Sequence, residues 1–359
     1  MDKLFRIIDA NVNRASEGIR VLEDLARFYY DHKEISEKLK KLRHGIRKGM
    51  MSCLPQCIAE RDSADDVGVQ TSKELKLDDK STLFELITAN FKRLQEALRV
   101  IEENLKLLGE YEKSKEYEDF RFYSYAVEKE FYRLNAIADK RKKLETDLYC
   151  LTAEEYSKGR SNLDVVKALI KSGIKIIQYR EKDKKLLEKY RECTEIRALT
   201  QTAGVTFIVN DDIHIAMLVK ADGVHIGQDD LPVEKVRELV GEEMIIGVST
   251  HSPEQAKAAI AAGADYIGVG PVFKTFTKKD VCDPVGLEYL EYAVKNVDIP
   301  FVAIGGIKEH NLSEVVSKGA KCIAMVTEIV GADNIEEKII SIRNQIRNRN
   351  EMENKKGDI

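Results

Sequence analysis

Gln178, Tyr179, Arg180, Glu181 and Lys182 close one apolar run, and Thr275, Phe276, Thr277, Lys278, Lys279 and Asp280 follow another. Cations and hydroxyls gathered at the ends of apolar runs suit the oxygens of a phosphate. Between these stretches stand Asn210 and Asp211, then Gly227, Gln228, Asp229 and Asp230, each pair or quartet directly after a β-rich run. Carboxylates so placed suit a hard cation such as Mg²⁺, which takes oxygen ligands and shares them with a diphosphate. The chemistry predicted from these residues is the handling of a diphosphate.

Such residues need a scaffold that brings strand ends together. From Asp147 onward apolar strands alternate with helical stretches, beginning at Leu148–Leu151, Ile174–Tyr179, Thr206–Val209, Gly223–Ile226, Met244–Val248, Tyr266–Val269, Phe301–Ile304 and Cys322–Val326. Eight strand-then-helix units in about 200 residues have the size and rhythm of an α/β fold of the (β/α)8 TIM-barrel type, expected over 147–348. In that fold the chemistry sits at the C-terminal strand ends. Strand two delivers Gln178, Arg180 and Lys182 there, strand three Asn210 and Asp211, strand four Gln228 and Asp230, and strand five Ser249 and His251. Strand six opens the Thr275 to Lys278 loop, strand seven ends in Gly305 and Gly306, and strand eight in Val326 and Thr327. The last two loops commonly bind a phosphate through exposed backbone N–H groups.

The first 143 residues read differently. Apolar residues recur at three and four, and Pro55 is the only proline, so an all-helical domain is expected over 1–143. The basic segment Asp139 to Glu145 reads as a linker, and residues 349–359, rich in Asn, Glu and Lys, as a flexible tail. A formal net charge of −4 gives no basic face for nucleic acid or an anionic membrane, and small-molecule partners are favoured. No run approaches the ~20 apolar residues of a spanning helix, so a soluble cytoplasmic protein is expected. Six scattered cysteines lack zinc spacing and read as reduced, structural thiols. Nothing in the pattern fixes an oligomeric state, a homo-oligomer included.

Taken in order, these motifs carry a resemblance. Residues from about Asp147 to Ile346 resemble thiamine phosphate synthase, through Gln178 to Lys182, Asn210 and Asp211, His225 to Asp230, Gly247 to Ser249, Gly270 and Pro271 leading to Thr275, Thr277 and Lys278, and Ala303 to Ile307. The resemblance implies a transferase that joins an aminopyrimidine methyl diphosphate to a thiazole or carboxythiazole ethyl phosphate, releasing diphosphate. It implies that Asp211 and Asp230 hold Mg²⁺ and that Arg180, Lys182 and Lys278 act catalytically on the diphosphate. It places Gln178, Tyr179, Glu181, Asn210 and Ser249 with them around the pyrimidine diphosphate. Thr275, Phe276, Thr277, Gly306, Val326 and Thr327 fall around the thiazole phosphate. No general base is required, because the thiazole nitrogen carries no proton to remove.

Plainer readings stand beside these. Asp211 before Ile213 could cap a helix, Lys278 and Lys279 could be a solvated pair, and Gly305 with Gly306 a tight turn. Asp222 and Asp229 flank Asp230 and are alternative ligands. His225 and His251 read as supporting or packing residues. A thiazole tautomerase on the same barrel, or a binding protein for thiamine phosphate, would have no use for the cationic and acidic set.

The helical half contains a repeat. Residues 4–25 align without gaps on 83–104, with ten identities, among them Asn11/Asn90, Arg14/Arg93 and Glu17/Glu96. On a helix Ile8, Val12, Ala15, Ile19 and Leu22 form one apolar stripe, and Ile7, Gly18, Val21 and Leu25 a second. Arg14 and Arg93 fall within the second, where a guanidinium is expected to need an anionic partner. Downstream, Arg61, Asp62 and Asp66 lie in a dense polar segment. The half resembles the helical domain attached to some thiamine phosphate synthases, which implies an ATP-using kinase acting on hydroxymethylpyrimidine phosphate. No Walker loop supports this from spacing, and a structural or dimerisation module is the alternative.

Overall fold

The computed structural model describes residues 2–60, 80–277 and 282–357, with no side-chain description beyond residue 349. The chain separates into two compact units, Met1–Ala138 and Asp139–Ile359.

Among the described residues the first unit is built on α1 (Asp2–Asp24), α2 (Lys33–Gly49), α3 (Leu54–Ala59), α4 (Leu83–Leu107) and α5 (Tyr111–Lys143), whose last turn belongs to the second unit. The repeat falls on α1 and α4, which pack against one another. Ile8, Ala15, Ile19 and Leu22 are fully buried with Leu39, Ile46, Phe91 and Phe131, so the first stripe is core. The second stripe is split: Ile7 and Val21 are 40% and 38% exposed, while Gly18 is buried and Leu25 half-buried. Arg14 and Arg93 are accordingly exposed, and the desolvation expected of them does not arise. The N-terminus of α4 carries a capping box, with Thr82 Oγ1 accepting from Glu85 N at 3.2 Å and Glu85 Oε2 accepting from Thr82 N at 3.1 Å. The expected linker at Asp139 to Glu145 is largely helical instead. Lys and Arg are good helix formers and no Gly or Pro interrupts them, so α5 runs on to Lys143.

The second unit is a parallel barrel of β1 (Tyr149–Leu151), β2 (Ile176–Tyr179), β3 (Thr206–Asn210), β4 (Gly223–Ile226), β5 (Ile245–Thr250), β6 (Tyr266–Val269), β7 (Phe301–Ile304) and β8 (Ile323–Ala324), paired in chain order. A parallel bridge from Leu148 to Ile323 draws the first strand to the last. The helices that follow the strands are α6 (Asn162–Lys171), α7 (Leu186–Ala203), α8 (Ile213–Leu218), α9 (Val233–Val240), α10 (Pro253–Ala261), α11 (Gly286–Asn296), α12 (Leu312–Ser317), α13 (Val326–Val330) and α14 (Ile335–Gly357). The expected (β/α)8 architecture is thus present. Two boundaries differ. Val326, expected at the end of strand eight, opens α13, and α14 continues past residue 349, where a flexible tail was expected, because Glu, Lys and Asn there meet no breaker before Gly357.

Period-two alternation sorts the side chains. Tyr149, Ile176, Ile208, Ile245, Tyr266 and Val302 form one cluster inside the barrel, while Cys150, Ile177, Phe207, Ile246 and Ile267 belong to a larger cluster beneath the helices. Gly247 makes room for the Tyr266 ring, since a Cβ there would fall 2.1 Å from it. Two ion clusters tie the frame. Asp265 takes Arg237 Nη2 at 2.6 Å, Lys140 Nζ at 3.1 Å and the Ile246 N–H at 2.8 Å. Asp147 takes Arg343 Nε of α14 at 2.8 Å. Burial works against the ionised Asp147, but hydrogen bonds from Arg343 and the Leu148 N–H hold its carboxyl below the usual range. No described helix is long and apolar enough to cross a membrane.

Candidate active site

Where the strands end, the second unit opens a cavity of about 880 Å³. Gln178, Arg180, Lys182, Asn210, Asp211, Asp230 and Ser249 line it, and so do Thr275, Phe276, Thr277, Gly306, Val326 and Thr327. Two expected members do not. Tyr179 is the outward neighbour of Gln178 on β2, buried, with its hydroxyl donating to Glu192 Oε2 at 2.6 Å. Glu181 accepts from the Glu154 N–H at 2.9 Å. Both hold the loop after β2 rather than face the cavity. Lys278 lies outside the described residues, as do Arg61, Asp62 and Asp66.

The charged wall is set by backbone. Thr152 Oγ1 accepts from the Arg180 N–H at 3.0 Å, fixing the residue that begins the cationic segment. Asp211 sits at φ +63°, its N–H donating to His225 O at 2.9 Å, a left-handed geometry that Asp tolerates better than most residues. It is not the cap of α8. The cap position is Asp212, which makes no capping bond and pairs with Lys189 at 2.9 Å. Asp230 is held by the Gly227 N–H, which donates to Oδ2 at 2.6 Å. Partial enclosure, and then the neighbouring Asp230 carboxylate, push the Asp211 carboxyl up to about 6, against the lowering pull of Lys182 and Arg180. Two carboxylates therefore compete for one neighbourhood. No group of three His, Cys, Asp or Glu suited to a metal occurs among the described residues.

Beneath this wall a hydrogen-bonded chain crosses the barrel interior. Gln178 Nε2 donates to Tyr149 Oη at 3.0 Å, Tyr149 and Tyr266 hydroxyls meet at 2.7 Å, Tyr266 Oη meets His225 Nδ1 at 2.9 Å, and His225 Nε2 meets Ser249 Oγ at 2.9 Å. Its direction follows from counting protons. Tyr149 is 2% exposed and already accepts from Gln178, so its own hydroxyl proton has only Tyr266 to go to among the described residues. Tyr266 then donates to Nδ1, His225 carries its proton on Nε2, and Ser249 accepts it. The Ser249 hydroxyl is left to donate into the cavity. At the other end Gln178 keeps its carbonyl oxygen as an acceptor.

The far side of the cavity is built on the double glycine after β7. Gly306 lies at φ +65°, and a Cβ there would stand 2.5 Å from Lys274 O. Asn311 Nδ2 donates to Gly306 O at 3.1 Å, and its Oδ1 accepts from the Lys308 N–H at 2.7 Å. Lys308 Nζ donates to Thr327 Oγ1 at 2.6 Å and pairs with Glu328 at 3.1 Å. Lys308, His310 and Asn311 line the cavity and were not foreseen. The available signal was a lysine two residues after a double glycine.

Both parts of the chain are similar to known proteins. Residues 148–329 match the family described as Thiamine monophosphate synthase, and residues 6–130 match the ThiD2 family. A thiamine-phosphate synthase of Pelotomaculum thermopropionicum is 66% identical over 200 residues, 56% of this chain and 92% of its own. One from Synechocystis sp. is 39% identical over 336 residues, 92% of each chain. A solved thiamine phosphate pyrophosphorylase from Pyrococcus furiosus superposes with a TM-score of 0.53 at 34% identity, over 58% of this chain and 98% of its own.

Proposed function

The chain belongs to the thiamine-phosphate synthase family of transferases, and on that footing we propose that its barrel joins an aminopyrimidine methyl diphosphate to a thiazole ethyl phosphate, giving thiamine phosphate and diphosphate. The observation that carries the reading is the meeting of Arg180 and Lys182 with Asp211 and Asp230 in one cavity.

The demanding event is cleavage of the carbon–oxygen bond to diphosphate, which leaves negative charge on the departing oxygens and positive charge on the pyrimidine methylene. The amino group on the ring feeds electron density to that carbon. Arg180 and Lys182 stand where the leaving charge collects, and Arg180 can meet two oxygens at once. Positioned donors of this kind are worth a few kcal/mol each. Departure of the diphosphate and attack by the thiazole nitrogen balance the step without a proton transfer, which accords with His225 and His251 being engaged by Tyr266, Ser249 and the Gly270 carbonyl.

The Asp211 and Asp230 pair fits a divalent cation. Enclosure first and the Asp230 carboxylate second raise the Asp211 carboxyl, a bound cation opposes both, and two carboxylates leave positions for phosphate oxygens and water, the arrangement Mg²⁺ favours. Bound there, Mg²⁺ would neutralise charge on the leaving diphosphate. The floor supports the ring's identity. An acceptor on Gln178 and a donor on Ser249 complement an amino group beside a ring nitrogen. Gly306, Thr275, Thr277 and Thr327 supply donors for the thiazole phosphate. A tautomerase would leave the cationic and acidic wall without a purpose.

For the first unit we read the ThiD2 match as a kinase that makes the diphosphate from hydroxymethylpyrimidine phosphate and ATP. One experiment tests both parts. Full-length protein is incubated with hydroxymethylpyrimidine phosphate, ATP, Mg²⁺ and thiazole phosphate, with the pyrimidine diphosphate supplied directly in a parallel reaction, and thiamine phosphate is followed by mass. Product in both is expected. Product only with supplied diphosphate removes the kinase, and product in neither removes the synthase.

A further inference from the structure

The duplication in the first unit places equivalent residues face to face. α1 and α4 lie side by side, and a cavity of about 450 Å³ takes Asn11 and Arg14 from one copy and Asn90 and Arg93 from the aligned positions of the other. Lys80, Lys92 and Glu96 complete the argument for its charge: four cations against one carboxylate. The helices approach closely because position 18 is glycine, where a Cβ would come 3.1 Å from Asn90 O. Both copies hold the asparagine alike. Each is 6% exposed and donates Nδ2 at 2.8 Å to the carbonyl four residues earlier, Ile7 in one and Leu86 in the other.

Several arginines of the unit are held by carboxylates. Arg20, Arg43, Arg99 and Arg121 each have carboxylate partners, and Lys92 has Glu128 at 3.4 Å. Arg14 and Arg93 have no such partner among the described residues. Two unpaired guanidiniums at one groove repel each other unless an anion stands between them. Their planar forks suit phosphate oxygens bidentately, and entry from two related helices lets each fork take a different oxygen pair.

We propose that the groove between the repeat helices binds the phosphoryl group of a small molecule, gripped by Arg14 from one copy and Arg93 from the other. The site is separate from the barrel cavity. It does not rest on the kinase reading, because it concerns binding and not turnover. Its origin in a duplication explains why two copies of one helix carry the same Arg at a rim that the core does not need, beside an Asn that each buries alike.

The test uses the full chain carrying Arg180→Ala and Lys182→Ala, which removes two of the phosphate contacts assigned to the barrel and leaves the loss on changing Arg14 and Arg93 to report the groove. Inorganic pyrophosphate is titrated by calorimetry at fixed ionic strength, and ATP in a second arm. Saturable binding at one site per chain is expected, weakened by about tenfold for each of Arg14→Gln and Arg93→Gln. Arg14→Lys with Arg93→Lys retains more affinity than the Gln pair, with an unchanged circular dichroism spectrum. Tighter binding of ATP assigns the phosphate to a nucleotide, and equal affinities assign it to a bare phosphoryl group. Absence of saturable binding, or equal affinity with and without the two arginines, overturns the proposal.

Discussion

Tyr266→Phe is the most direct probe of how the barrel floor sets the polarity of its ends. The substitution keeps the ring in the space Gly247 leaves and deletes one oxygen, which lies 2.7 Å from Tyr149 Oη and 2.9 Å from His225 Nδ1. The buried Tyr149 hydroxyl then loses its acceptor, while the half-buried His225, which lines the cavity, loses the Tyr266 bond. Leaving one buried polar group unsatisfied costs about 1–3 kcal/mol, and a loss of stability on that scale is expected in a denaturant titration. Catalysis suffers separately. With Nδ1 released, the imidazole can carry its proton on either nitrogen, and Ser249 no longer presents a donor to the ring in every molecule. A loss of about tenfold in kcat/KM corresponds to ~1.4 kcal/mol, the scale of one neutral hydrogen bond. The assay is steady-state kinetics with supplied pyrimidine diphosphate and thiazole phosphate, for Tyr266→Phe, Ser249→Ala and the double variant. If the chain acts through Ser249, the double variant is little worse than Ser249→Ala alone. Fully additive losses, or unchanged kcat/KM in a folded Tyr266→Phe protein, refute the reasoning.

Asp230→Ala is expected to cut turnover by about a hundredfold or more and raise the Mg²⁺ needed for half-maximal rate, with an unchanged melting temperature, because Asp230 is an exposed loop residue; normal Mg²⁺ dependence removes it as a ligand. Gly306→Ala places a Cβ 2.5 Å from Lys274 O at φ +65°, so it should raise KM for thiazole phosphate more than for the pyrimidine diphosphate, measured by varying each substrate in turn. Asp265→Ala takes the carboxylate from the buried Lys140 and the Ile246 N–H, while Arg237 keeps the Gly241 and Met244 carbonyls, and a loss of about 3–5 kcal/mol is expected in chemical denaturation. Asp147→Asn tests a pH dependence. A carboxyl whose folded pKa is depressed adds stability that is full above its unfolded value, near ~3.9, and is lost as pH falls through the folded value. The variant should melt earlier at neutral pH and lose less below about pH 4, and parallel pH profiles for the two proteins would remove Asp147 from acid unfolding.

The barrel was legible because its signals are local and repeated. Each buried parallel strand is a short apolar run, and the polar residues directly after it are carried to the same end by the fold. What could not be read were features decided by partners distant in sequence. Tyr179 and Glu181 share the segment of Gln178, Arg180 and Lys182, yet strand alternation turns Tyr179 toward Glu192 of α7, and the chain's path hands Glu181 to Glu154. Lys308 and Asn311 follow the double glycine closely, but their value lies in contacts with Gly306 and Thr327 that no spacing reveals.

The repeat shows the same division from the other side. Its identities were plain, and the narrow stripe from Ile8 to Leu22 did become core. The wider stripe misled, because helical periodicity records which residues share a face and not whether that face is covered. With Ile7 and Val21 left at the rim, Arg14 and Arg93 meet water and not a buried partner. The same fact reverses the inference drawn from them: residues that core packing does not require, kept at matching positions in two diverged copies, are better explained by what the groove binds than by how the helices fold.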